Sequence, residues 1–355
     1  MHVLFCWRQI SGYMAACWRA LDQMDDVQVS VLAYRSRGTH STTDFADSTV
    51  EGLDCRLLNP DERDDAALIK RLVQERQPDV LVLCGWKQPA YRALAFDPAL
   101  RDTPMFLAMD TQYQGTWRQW LAPFVLRRFL RRISTIIVAG ERTWQYARHL
   151  GFREEQIARG VYGCDQELFH QAAEERANDW PRRFLFVGRY VHAKGLQVLS
   201  EAYRTYCETV NNPWALTTCG SGPLADQLDA QPGVDNKGFV QPCDLPPIFT
   251  QSGAFVLPSL YEPWGVVIAE AAAAGLPVIC SEACGAGVDL VQPYYSGIKV
   301  ATNNSEKLAD AFRWMHENEQ HLPQMGRRAQ QLAGAYTAEV WARRWRQYLL
   351  DAVGS

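Results

Sequence analysis

At 355 residues the chain is long enough for about two domains, each with its own core. Its hydrophobic fraction of 47% and charged fraction of 21%, without a low-complexity tract, exclude coiled-coil, collagen-like and disordered chains. Lys and Arg number 36 against 40 Asp and Glu, and the net charge of −4 gives no electrostatic reason to expect nucleic acid as a partner.

Short apolar, β-branched runs predict strands at 2–7, 27–34, 54–58, 79–85, 104–110 and 135–140, with helices at 12–24, 62–76, 115–132 and 141–150 between them. The charged, polar stretch 170–182, ending near Pro181, predicts a linker. Beyond it the alternation restarts, with strands at 184–188, 215–220, 236–240, 254–259 and 277–281 and helices at 195–206, 265–274 and 305–316. A last amphipathic stretch, Ala338 to Leu350, carries Trp341, Trp345 and Leu349 on one face and fits against either half. The fold class is therefore α/β, with two Rossmann-like, doubly wound parallel-sheet domains over 1–168 and 183–334 facing a cleft. A terminal helix in 337–355 is free to pack back on the first. Such folds bind ligands outside the carboxyl ends of their strands.

The ten cysteines are scattered without a Cys-x-x-Cys pair, and Cys280 and Cys284 lack a partner pair at zinc spacing. No metal site is expected, and the thiols read as small core residues of a reduced, cytoplasmic protein. The opening MHVLFCW enters a strand directly, without the pattern of a secretory leader, and no run approaches the length of a membrane span.

The chemistry concentrates in the second half. In Tyr261-Glu262-Pro263-Trp264-Gly265-Val266-Val267-Ile268-Ala269-Glu270, Glu262 falls on a strand-to-helix loop and Gly265 at the helix start. Amides there, around Val266, suit a phosphate, while Glu270 suits the vicinal hydroxyls of a ribose and Glu262 a sugar. Upstream, Gly188-Arg189 ends a strand and Lys194-Gly195 opens the next helix, two cations where a departing pyrophosphate needs them. Gly220-Ser221-Gly222-Pro223 lets a ligand approach the backbone, and Gly238-Phe239-Val240 lies at a strand end where a base would sit. His192, between the two cations, reads as a loop histidine. The bland alternative for these charges is a solvated loop and helix end.

In order and spacing, GRYVHAKG (188–195), GSGP (220–223), GFV (238–240), Glu262-x7-Glu270 and AAAAGLPVI resemble the nucleotide-sugar domain of family 4, group 1 retaining glycosyltransferases, which have the GT-B fold. Gly163-x-Asp165-x3-Phe169 is similar to the family's segment ahead of the interdomain linker. The resemblance implies that Arg189 and Lys194 hold the nucleotide diphosphate, Glu270 the ribose and Glu262 the donor sugar. It also implies metal-independent transfer that retains the anomeric configuration, with no cofactor beyond the nucleotide-sugar co-substrate. The lack of any Asp-x-Asp agrees with metal independence. A glycan or lipid-linked acceptor and a place in cell-surface polysaccharide or glycoconjugate synthesis follow at the family level.

The first half resembles the family only in its alternation. The loop Arg8-Gln9-Ile10-Ser11-Gly12-Tyr13 has one glycine where the family has adjacent ones, leaving Ser11 and Gly12 as candidates for the diphosphate. Asp110, ending a strand, is a candidate for acceptor or donor-sugar contact, and Trp7 and Trp86, two of 12 tryptophans, for stacking on acceptor sugars. Two readings stay open for 117–132: an aromatic and basic helix touching the inner face of a membrane, or a helix packed on the first sheet with exposed arginines. Rival functions are a non-catalytic sugar-nucleotide scaffold, suggested by the altered loop, and a nucleotide-sugar epimerase of the same architecture.

Overall fold

Residues 1–35, 45–176, 180–229 and 231–354 are described by a computed structural model. They fall into two units: Met1 to Gly163 together with the chain from Ala338 onward, and Cys164–Thr337.

The first unit is built on β1 (His2–Trp7), β2 (Gln28–Tyr34), β3 (Asp54–Leu58), β4 (Val80–Cys84), β5 (Met105–Met109), β6 (Thr135–Val138) and β7 (Ile157–Arg159). Every pairing is parallel, in the order β3-β2-β1-β4-β5-β6-β7. Helices cover both faces, so the central strands carry unbroken apolar runs: in β1, Val3 to Trp7 are all buried. The edge strand β3 alternates instead, with Asp54 and Arg56 exposed and Leu58 buried.

The second unit repeats the plan with β8 (Arg183–Val187), β9 (Ala215–Cys219), β10 (Val234–Asn236), β11 (Ala254–Leu257), β12 (Val278–Ser281) and β13 (Gly297–Val300). Its order is β10-β9-β8-β11-β12-β13, again all parallel. In each unit the strand order reverses direction once, at β1/β4 and at β8/β11. The loops leaving the carboxyl ends of those strands therefore diverge and open a crevice between them.

The terminal helix Ala338–Val353 packs on the first unit. Trp341 and Trp345 lie 4.8 Å apart by ring centroid, both against Phe5. Their indole N–H groups donate to the carbonyls of Val161 (3.0 Å) and Gly160 (2.7 Å), so each of these two has its polar atom satisfied. Trp18 and Trp214 are the other fully buried tryptophans, and among the described residues the Trp18 indole nitrogen has no hydrogen-bond partner. All ten cysteines are free thiols, six of them buried.

Several elements differ from the sequence pattern. Strands β7 and β13 and the helices Pro89–Leu94, Gln166–Glu175 and Leu322–Ala333 were not expected. The segment read as a linker is helical through Glu175, and residues 177–179 within it lie outside the described residues. The strand expected at 236–240 is three residues long and ends at Asn236, because Gly238 turns the chain at φ +65°. The helix expected at 115–132 is two pieces, Trp117–Val125 and Arg127–Leu130, broken at Leu126 (φ −93°, ψ 2°) just after the internal Pro123.

Candidate functional site

In the second unit, the loops that follow β8, β9 and β10 are laced together by main-chain bonds. Gly188 N–H donates to Cys219 O (2.9 Å), Tyr190 N–H to Ser221 O (2.8 Å) and Gly220 N–H to Gly238 O (2.7 Å). Such close approach leaves no room for side chains. A Cβ on Gly220 would lie 1.9 Å from Gly188 O, and one on Gly222 would lie 2.4 Å from Tyr190 O. The buried Tyr190 donates its hydroxyl to Asn236 Oδ1 (2.7 Å), which also accepts from Gly238 N–H (3.0 Å). Phe239 and Val240 follow that turn, half-buried on a loop rather than on a strand.

The loops beyond β8 and β11 meet at the crevice. Leu260 and Tyr261 N–H both donate to Ala193 O (2.8 and 3.2 Å), which brings Lys194 to Glu262. Lys194 Nζ pairs with Glu262 Oε2, the Ser259 hydroxyl donates to the same oxygen at 3.2 Å, and Glu262 is only 8% exposed. From the other side Gly285 N–H donates to Glu262 O (3.1 Å) and Ala286 N–H to Trp264 O (2.8 Å). The acidic motif is thus held by the loops of β8, β11 and β12 together. Arg189 is exposed and makes no side-chain hydrogen bond among the described residues; His192 is exposed as well. Trp264 is buried against Tyr336, so it braces the motif from beneath.

Gly195 caps the Leu196–Thr209 helix in the left-handed region (φ +69°), and a Cβ there would meet Pro258 O at 2.1 Å. Gly195→Ala combines a disfavoured backbone with a backbone clash and is expected to destabilise by at least about 2 kcal/mol. Gly334, with φ −56° and open space around its Cβ position, is the control: Gly334→Ala is expected to leave the urea midpoint within error. Equal midpoints for both variants would refute the packing argument.

Gly265 begins the helix Val266–Ala273 at φ +92°, and no side chain caps that end, so its amides face the crevice without a protein partner of that kind. Glu270 lies one turn further in and is half-buried. Burial pushes its carboxyl up to about 7, and the charge of Asp165 adds to the shift. Asp165 itself caps the Gln166–Glu175 helix, accepting from Leu168 N–H at 3.1 Å. Gly188, Arg189, Lys194, Gly220, Gly222, Phe239, Val240, Glu262, Gly265, Val266 and Glu270 therefore all lie on the carboxyl-end side of one sheet.

In the first unit, the β1/β4 crevice holds a cavity of about 190 Å³ lined by Trp7, Arg8, Trp86, Gln88, Asp110 and Tyr162, among others. Tyr162 donates its hydroxyl to Asp110 Oδ2 at 2.9 Å. Trp7 is 7% exposed and packs edge-on against Phe5 and Trp18, so it serves the core as much as the cavity wall. Gln88 Oε1 is buried without a hydrogen-bond partner among the described residues. Ser11 and Gly12 do not line this cavity. Ser11 stands at the head of the Gly12–Asp22 helix, 4% exposed, its hydroxyl also without a partner among the described residues. Sequence reasoning missed Gln88 and Tyr162: one precedes an unexpected helix and the other follows the unexpected β7.

Two doubly wound units, the second with cations, an uncapped helix start and a buried carboxylate at its crevice, define a GT-B architecture. Residues 169–332 match the family "Glycosyl transferases group 1", and residues 10–160 match "Glycosyl transferase 4-like domain". D-rhamnosyltransferase WbpZ of Pseudomonas aeruginosa is 29% identical over 220 residues, a stretch that spans 58% of this chain and 56% of WbpZ. TuaC of Bacillus subtilis, named for teichuronic acid biosynthesis, is 31% identical over 271 residues, 73% of this chain and 67% of TuaC. Anabaena HepE, solved with UDP and glucose, shares the fold with a TM-score of 0.76 at 17% identity, over 99% of this chain and 100% of HepE. The chain belongs to the family 4, group 1 glycosyltransferases.

Proposed function

We propose that this chain is a retaining glycosyltransferase. It moves a sugar from a nucleotide-diphosphate sugar onto a glycan or lipid-linked acceptor, in the building of cell-surface polysaccharide or glycoconjugate. It works at the cytoplasmic side without a metal or other cofactor. The observation that carries this reading is the group at the β8/β11 crevice: the unpaired cation of Arg189, the Lys194–Glu262 pair, the uncapped helix at Gly265 and the carboxyl of Glu270. Arg189 offers a fork to two phosphate oxygens, Lys194 a compact charge, and the helix amides a dipole. All three act on charge that grows as the sugar–phosphate bond breaks. Glu270 accepts from the ribose. The new bond forms on the face the diphosphate leaves, and the diphosphate takes up the acceptor proton. In the first unit Asp110, oriented by Tyr162, sits in a cavity walled by Trp7 and Trp86, a surface suited to sugar rings.

A thermal-shift screen of nucleotide diphosphates and their sugars tests the reading. A ligand at 100-fold excess over its Kd is expected to stabilise the protein by about 2.7 kcal/mol. The hit is then incubated with an acceptor panel, and the product's anomeric configuration is read by NMR. No stabilisation by any nucleotide would refute the donor site, binding without turnover would favour the scaffold reading, and an inverted product would refute retention.

A further inference from the structure

The Trp117–Val125 helix buries a single residue, Ala122. Trp117 (68%), Trp120 (60%), Phe124 (69%) and Val125 (77%) stand in solvent, with Leu121 at the margin (36%). Residues 117, 120, 121 and 124 follow the i, i+3, i+4, i+7 spacing of one helix face, and the rings of Trp120 and Phe124 lie 6.1 Å apart. The residues that bind this region to its core, Leu126, Phe129, Leu130 and Ile133, belong to the following turn, the short Arg127–Leu130 helix and the chain just beyond it. The reading of 117–132 as one core-packed helix therefore fails for its first half, whose apolar face has no partner within the described residues.

Charge indicates what covers that face. Residues 111–140 contain five arginines and no Asp or Glu. Arg132 is used internally, donating to the carbonyls of Ala95 and Leu100. Arg118, Arg127, Arg128 and Arg131 are exposed and form no ion pair among the described residues. Arg127 and Arg131 line a groove of about 300 Å³ with Leu130, Ile133 and Phe152, next to the aromatic face, and Arg128 lies over the ring of Phe96, which is itself 49% exposed. A second copy of the chain docked here by two-fold symmetry would bring these arginines against their own counterparts. An anionic bilayer answers both features, since aromatic side chains settle at headgroup depth and arginines reach lipid phosphates. Among the described residues no helix is long and apolar enough to cross a membrane, so the contact would be peripheral.

We propose that this face docks the chain on an anionic lipid surface, with Trp117, Trp120, Leu121 and Phe124 entering the headgroup layer and Arg127, Arg128 and Arg131 holding lipid phosphates. The test is flotation of the full chain with phosphatidylcholine vesicles, with and without phosphatidylglycerol. Binding is expected to be at least about tenfold tighter to the anionic vesicles and to weaken with salt. Trp120→Ser with Phe124→Ser is expected to lower binding to both vesicle types by about tenfold or more, and Arg128→Glu with Arg131→Glu to remove the anionic preference. All these side chains are exposed, so thermal midpoint and nucleotide-sugar affinity are expected to stay at wild-type values, which separates this surface from the donor site. Absence of vesicle binding, or binding that neither pair of substitutions changes, would overturn the proposal. So would a dimer in sedimentation velocity that Trp120→Ser abolishes, because it would assign the face to self-association.

Discussion

Affinity for the nucleotide sugar is expected to rise as pH is raised through about 7, and Glu270→Gln is expected to flatten that rise. Burial, with a smaller contribution from Asp165, moves the Glu270 carboxyl up to about 7, so at pH 6 the ligand-free protein holds it largely protonated. A carboxylate accepts from both hydroxyls of a ribose, whereas the protonated group gives up part of that capacity. Hydrogen bonds to a charged acceptor contribute about 1.5–3 kcal/mol, so the affinity change between pH 6 and 8 should be about tenfold. Glu270→Ala should weaken binding by about tenfold to 100-fold at pH 8. The ligand should be the intact nucleotide sugar, because a free terminal phosphate titrates near 6 and would add its own slope. Stability runs the other way. A carboxyl raised above its unfolded value binds its proton more tightly in the folded state, so its contribution is full below the unfolded pKa and is lost as pH rises through about 7. The ligand-free protein should lose on the order of 1–3 kcal/mol across that window from this group, and Glu270→Gln should lose less. Calorimetric titration at three pH values reads the first effect and urea unfolding the second. A wild-type affinity independent of pH would refute the role given to Glu270.

The parallel strands were legible because their apolar runs are continuous: β1, β3 and the helix at Gly265 fall where the pattern puts them, to within a residue. Elements without that signal were not. Strand β7 is Ile-Ala-Arg, three residues on the outer edge, and the helix Leu322–Ala333 has Pro323 and Gly326 inside it. At 236–240 the β-propensity of Phe239 and Val240 misled, since Gly238 turns the chain and both residues fall on the loop. Residue identities in the donor motif were readable, but their couplings were not. Lys194 reaches Glu262 because two amides of the β11 loop dock on one carbonyl of the β8 loop, and Glu270 feels Asp165, more than a hundred residues earlier in the chain. The Trp117–Val125 helix was ambiguous for a simpler reason. An aromatic face has the same spacing whether it meets a core or solvent, and only the break at Leu126 separates the exposed part from the buried one.

Lys194→Ala is expected to cut turnover by about 10²- to 10³-fold while lowering nucleotide-sugar affinity much less, because a charge aimed at the leaving diphosphate acts mainly as that charge develops. The same substitution also acts on stability. Lys194 and Glu262 are paired, with side chains 14% and 10% exposed, and the Ser259 hydroxyl also donates to that carboxylate oxygen. Removing the lysine leaves a buried carboxylate without its countercharge, which should lower stability by up to about 3 kcal/mol. Loss of turnover in the single variant would then be open to a folding explanation. Adding Glu262→Gln removes the stranded charge while keeping the side chain's size, so the double variant should recover most of the lost stability. Its turnover should stay at or below that of Lys194→Ala, because the cation is still missing and the group proposed to face the donor sugar has changed. Lysine has three donor hydrogens, enough to keep Glu262 while donating to a phosphate oxygen, so the pair seen in the ligand-free protein is compatible with the role proposed for Lys194. Single-turnover rates and urea midpoints for the two singles and the double complete the cycle. Turnover that returns together with stability would make Lys194 a structural residue, and wild-type turnover in Lys194→Ala would remove it from the mechanism altogether.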